Sequence, residues 1–120
     1  MRSVLNLVVL RVSDLDRAAL FYGALGLIFE KHAHGTGPVH LACEMPNMVF
    51  ELYLAIPTQP VTSSTRIGFS SDDVDLAIAS VSVIPEVKLL SAPQDSEWGR
   101  RAVVVDPDGH RVELTQAHWH

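Results

Sequence analysis

The chain has 120 residues, 48% apolar and 19% charged, with a formal net charge of −5. That composition fits one globular domain long enough to bury a core, without a low-complexity tract. Its acidic balance and the lack of a Lys/Arg cluster exclude nucleic acid and anionic membrane as expected partners.

The first segment, Met1 to Asn6, lacks the apolar stretch of a signal peptide. No apolar run reaches bilayer length, and a cytoplasmic protein is expected. A β-rich run from Val4 to Val12 opens the fold. Ser13-Asp14 is a helix N-cap signal, and Asp16 adds negative charge near the helix start. Leu15, Ala18, Ala19, Phe21, Tyr22 and Leu25 recur at helical spacing, and Gly23 and Gly26 bracket the helix end. Three short strands follow: Leu27 to His32, Pro38 to Met45 and Met48 to Ala55. The His34-Gly35-Thr36-Gly37 loop and a Pro46-Asn47 turn separate them. Cys43, the single cysteine, excludes an intrachain disulfide and reads as a small core hydrophobe.

Residues 57–64, with two prolines and several small polar side chains, read as a linker between module one (1–56) and module two (65–117). The second module repeats the order of the first. Thr65 to Ser70 is a strand, and Asp72-Asp73 is the cap. Val74, Leu76, Ala77, Ile78 and Val81 form a helix stripe that ends before Pro85. Strands then cover Val87 to Leu90, Arg101 to Val105 and Arg111 to Gln116. Ser91 to Glu97 reads as a polar loop able to act as a lid. Asp106 to Gly109 is a tight turn. Each half reads β-α-β-β-β, an α+β fold of two modules. His118-Trp119-His120 is a tail.

Two strands carry a glutamate inside an apolar run: Glu51 in Met48 to Leu54, and Glu113 in Arg111 to Thr115. Such a carboxylate is expensive to bury without a partner. Strand alternation puts Phe50, Leu52 and Leu54 on one face, with Val49, Glu51 and Tyr53 on the other. A two-residue Pro46-Asn47 loop sets Ala42 opposite Glu51 and His40 opposite Tyr53, sending Leu41, Cys43 and Met45 to the core. A four-residue loop in module two sets Ala102 opposite Glu113 and Val104 opposite Arg111. Val103, Val105, Val112 and Leu114 then become core. Both glutamates face away from the helices.

Three groups of residues carry a family resemblance. The first runs Leu10-Arg11-Val12-Ser13-Asp14-Leu15-Asp16-Arg17, with Phe21-Tyr22 and Leu25-Gly26-Leu27. The second is Phe50-Glu51-Leu52. The third is Trp98-Gly99-Arg100, leading to Asp106-Pro107-Asp108-Gly109-His110-Arg111-Val112-Glu113-Leu114. With these the chain resembles, end to end, the vicinal oxygen chelate superfamily of glyoxalase I, extradiol dioxygenases, fosfomycin resistance enzymes and bleomycin resistance proteins. The resemblance implies paired βαβββ modules forming a half-open cup of sheet, usually in a homodimer. The fold hosts many activities.

In metal-dependent members the ligands lie on the first and last strands of each module. Aligned on the two Asp caps, those positions fall on Leu7, Glu51, Arg66 and Glu113, so both family histidines are missing. A catalytic zinc site needs about three protein ligands, commonly with nitrogen. No cofactor is therefore expected. The fallback is a divalent metal ion held by Glu51, Glu113 and His40. Arg66 is expected to replace the metal electrostatically, with a plain surface ion pair as the alternative.

Arg11 matches an arginine that contacts a glutathione carboxylate in glyoxalases, although Ala55 replaces the asparagine that accompanies it. His40 and Tyr53 share the face of Glu51 and could line a ligand site or hydrogen-bond within the sheet. His32 and His34 flank the Gly-rich turn and read as solvated. Trp98 is a candidate stacking platform or a dimer-contact residue, and Arg111 joins the candidate ligand-binding set. The leading reading is a metal-independent binder of a small organic molecule, sequestering an antibiotic or natural product. The alternatives are a lyase or isomerase with Glu51 or Glu113 as base, a dioxygenase-type enzyme with a non-standard metal site, and a scaffold without chemistry.

Overall fold

The computed structural model describes residues 1–33 and 35–117. His34 and the terminal His118, Trp119 and His120 lie outside the described residues. The chain divides into two compact units, Met1–Thr62 and Ser63–His120.

The first unit contains β1 (Leu7–Val12), α1 (Leu15–Ala24), β2 (Glu30–His32), β3 (His40–Met45) and β4 (Met48–Leu54). Its sheet order is β1-β4-β3-β2. β1 runs parallel to β4, and the other pairs are antiparallel. The second unit repeats this plan with β5 (Arg66–Ser70), α2 (Val74–Ser82), β6 (Lys88–Ser96), β7 (Gly99–Val105) and β8 (Arg111–Gln116), ordered β5-β8-β7-β6. These are two four-stranded mixed sheets, each with one helix, of the α+β class.

Both helices start where the sequence signals it. Asp14 accepts the Arg17 N–H at 3.0 Å, and Asp73 accepts the Leu76 N–H at 3.0 Å. Each carboxylate satisfies a first-turn donor that lacks a partner within the helix. α1 buries Ala18, Phe21 and Tyr22, and the Tyr22 ring meets Phe50 edge-on at 5.3 Å. α2 buries Val74, Ala77, Ile78 and Val81. Each sheet turns its alternate apolar residues toward its helix: Leu10, Val12, Phe50 and Leu52 in one, Ala102, Val104, Val112 and Leu114 in the other.

The β3–β4 register is the expected one, with Ala42 opposite Glu51 and His40 opposite Tyr53. The β7–β8 register differs by one residue. Val103 lies opposite Glu113 and Val105 opposite Arg111. The cause is the connecting loop, which holds five residues because His110 turns inward. Its ring Nδ1 lies 2.8 Å from Asp106 Oδ2, and Asp106 Oδ1 accepts the His110 N–H at 2.9 Å. Asp106 and His110 are both buried. Ala102 and Val104 therefore turn toward the helix, while Val103, still buried as expected, and Val105 share the face of Glu113.

The expected lid is also corrected. Ser91 to Ser96 belongs to β6 and pairs with β7 through two register shifts. Only Glu97 and Trp98 remain as a turn. It can be this tight because Gly99 adopts φ 119° and passes so close to Gln116 that a Cβ would sit 2.2 Å from its carbonyl oxygen. β1 begins at Leu7 rather than Val4, and β2 is confined to Glu30–His32.

Candidate functional site

The parallel register aligns Val9 with Glu51 and Arg11 with Tyr53, and Tyr53 lies opposite His40 on the next strand. Arg11, Tyr53 and His40 thus form a row across three strands on the face away from α1. The Arg11 guanidinium carbon stands 4.7 Å from the Tyr53 ring centre. The Tyr53 ring stacks on His40 at 4.3 Å with planes 6° apart. His40 Nε2 lies 3.3 Å from Glu51 Oε2, and its Nδ1 lies 3.4 Å from the Pro38 carbonyl. Arg11 is anchored at its backbone, where its N–H donates to Thr62 Oγ1 at 3.0 Å. Its Nη1 also donates to the Leu54 carbonyl at 3.2 Å. His40 is 2% exposed, so its ring is a wall of this face rather than an open acid or base. Leu7 is half exposed at the start of β1, one side-chain step before Val9.

In the second unit Gly68 aligns with Glu113 and Arg66 with Arg111. Glu113 accepts a hydrogen bond from Arg66 Nη2. It accepts another from Arg101 Nη2 at 2.8 Å. Together the two guanidinium groups hold the Glu113 carboxyl below the usual glutamate range, the Arg66 hydrogen bond contributing most. Gly68 leaves open space beside this cluster, since a Cβ there would meet nothing within 4 Å. A glycine inside a strand often marks such a close-approach position.

The two modules partner their half-buried glutamates alike. In each, the residue diagonal to the glutamate on the neighbouring antiparallel strand approaches it: His40 for Glu51 and Arg101 for Glu113. Sequence reasoning missed Arg101, because the slipped register turned it toward the core. An unpaired guanidinium there was the available warning. Gly68 was missed as well. Its only signal was a glycine in a strand pattern, level with a glutamate.

Glu51, His40, Tyr53 and Arg11 are brought together in the first unit, and Arg66, Arg111 and Glu113 in the second. Trp98 is apart from the latter group. It occupies the β6–β7 turn, 72% exposed, at the opposite end of β7 from Val105 and Arg111. Among the described residues no group of three His, Cys, Asp or Glu side chains is placed to hold a metal ion. The proposed His40 and Glu51 ligands face each other, while Glu113 is engaged by arginines. The residues at the family's metal positions therefore do not fit that metal.

A duplicated βαβββ plan with a glutamate in the last strand of each module defines a class of duplicated-module proteins. Comparison of the sequence with protein families matches the Glyoxalase/Bleomycin resistance protein/Dioxygenase superfamily over residues 4–114, and the chain belongs to it. Comparison with curated proteins finds no significant match. Among solved structures, the chain is similar to TnmS3, an antibiotic binding protein from Streptomyces sp. CB03234. The two share 26% identity over 98% of each chain, with a TM-score of 0.75. A glyoxalase/bleomycin resistance protein from the same Streptomyces strain is 28% identical, over 95% of this chain and 100% of that one, with a TM-score of 0.69. A glyoxalase I mutant from Zea mays shares the fold, at 24% identity and TM-score 0.73, over 96% of this chain and 48% of that one. No helix among the described residues is long and apolar enough to cross a membrane.

Proposed function

We propose that this chain is a metal-independent member of its family that binds a small organic ligand non-covalently and so sequesters an antibiotic or natural product. The observation that carries this reading is the filling of the second module's carboxylate position. Arg66 and Arg101 supply to Glu113 the positive charge that a cation would supply. Leu7, at the equivalent register step of the first module, offers no ligand atom. The likeness to an antibiotic binding protein supports the ligand class.

A carboxylate-base enzyme is less favoured. A glutamate held ionised by two guanidinium groups is a weaker base than an ordinary one, and Glu113 is shifted in that direction. In this reading the ligand lies against the open sheet face of the second module, with the space over Gly68 beside Glu113 as contact surface. The working state is a cytoplasmic homodimer, checked by light scattering of the purified protein.

The test is a thermal-shift screen of chelator-treated protein against a panel of antibiotics and natural products, followed by calorimetry of the best hit. One-to-one binding without metal and without turnover is expected. Binding that requires added metal, or conversion of the hit, would overturn the reading.

A further inference from the structure

Four of the chain's nine lysines and arginines, Arg66, Lys88, Arg101 and Arg111, fall at register positions on the open face of the second module. Among the described strand residues of that face, Glu113 is the only acid in register with them. In a chain of net charge −5 this is a local reversal of sign. Arg66 and Arg111 are register partners on adjacent parallel strands, which lie about 4.8 Å apart. Like charges directly opposite destabilise a sheet. Arg66 is partly compensated by Glu113. Arg111 is exposed, and its guanidinium has no hydrogen-bond or ion-pair partner among the described residues.

Both arginines line one cleft of about 250 Å³, together with Ser64, Val105 and Gly109. Its walls are fixed by the backbone: the Ser64 N–H donates to the Gly109 carbonyl at 3.3 Å, and the Arg111 N–H to the Thr65 carbonyl at 2.8 Å. A neighbouring cleft of about 290 Å³ carries Lys88, Glu86 and Asp106. The Asp106 carboxylate is already engaged by its own turn and by His110.

We propose that the Arg66–Arg111 cleft is the seat for an oxyanion, a carboxylate or phosphate, carried by an organic ligand. The inference rests on the reading of this chain as a ligand binder and names the chemical class bound. A guanidinium fork matches a carboxylate or phosphate edge with paired hydrogen bonds. Arg66 uses one nitrogen on Glu113 and keeps further N–H donors, and Arg111 has all of its own. Val105 provides an apolar wall for the atoms that bear the anion. Pockets enclosing a whole drug-sized ligand are typically about 300–1,000 Å³, so this cleft is the size of a head group. The remainder of the ligand extends over the open sheet toward Gly68.

The probes are benzoate, phenyl phosphate and the neutral isostere benzamide, titrated calorimetrically into wild type, Arg111→Gln and a charge-matched control, Arg2→Gln. Benzoate or phenyl phosphate binds, and whichever is tighter identifies the preferred oxyanion. Benzamide binds about tenfold more weakly or not at all, as loss of charge-assisted hydrogen bonds requires. Arg111→Gln loses the anion preference with no fall in melting temperature, as removal of one of two facing like charges requires, and Arg2→Gln keeps the preference. Added salt weakens the anion and not the amide. Equal binding of benzoate and benzamide, an unaffected Arg111→Gln, or no binding of either anion overturns the proposal. A chain that takes an uncharged antibiotic without anion preference remains a binder and loses this seat. One that holds benzoate at Arg111 but no natural product keeps the seat and loses the sequestration reading.

Discussion

Glu113 accepts hydrogen bonds from Arg66 and Arg101, and that arrangement fixes the sign of its contribution to stability. Its carboxyl is held below the usual glutamate range in the folded chain, first by Arg66. Such a group stabilises the fold fully above the ordinary glutamate range, and the contribution disappears as pH falls through the lowered folded value. Wild-type melting temperature should therefore drop across that acid window, while Glu113→Gln responds less. The gap between the two proteins should close at the acid end. Parallel melting curves from neutral to acid pH would show that the arginine pairing does not act on stability. Gly68 makes a second expectation at this scale. A leucine there meets open space and a backbone any residue can adopt, so Gly68→Leu should fold within about 1 kcal/mol of wild type. It should also block the antibiotic hit. Full affinity in this variant would remove the ligand from the face beside Glu113.

The β7–turn–β8 hairpin determines which residues can meet at the site. Asp106 accepts the N–H groups of Asp108 and His110 and faces the His110 ring, with its carboxylate and the imidazole both withdrawn from water. Removing the carboxylate strands those donors, a loss of about 3 kcal/mol or more. Asp106→Ala should accordingly lower the unfolding free energy in urea by that order and broaden or abolish oxyanion binding at the adjoining cleft. A change under 1 kcal/mol, the scale of an ordinary surface substitution, would contradict the role assigned to this turn.

The same hairpin shows where the sequence stops being readable. The caps, the helix stripes, the Pro46-Asn47 hairpin and the β3–β4 register follow from local rules, because each rests on neighbours in the chain. The length of the β7–β8 loop rests on whether His110 points in or out, which depends on a buried bond to Asp106. A one-residue slip there turns every side chain of β7 to the other face. That slip hid Arg101 and moved Val103 and Val105 to the face of Glu113, although Val103 is buried there as expected. β6 was curtailed for a related reason: its polar residues Ser91 to Ser96 read as a loop, yet bulged pairing with β7 holds them as strand.

For the whole molecule, module duplication was legible because both halves carry the same order of strand, Asp-capped helix and glutamate-bearing last strand. The site was legible only in part. Glu51, His40 and Tyr53 were placed by register, and Arg66 by its offset from the cap. The finding that two guanidinium groups close on Glu113 needed the three-dimensional pairing. That finding makes metal content the most direct measurement. Protein purified without added metal and analysed by mass spectrometry for zinc, nickel, iron and manganese should carry far less than one equivalent of any of them. It should still bind its organic ligand in that state. A stoichiometric metal, lost together with ligand binding on chelation, would contradict the account.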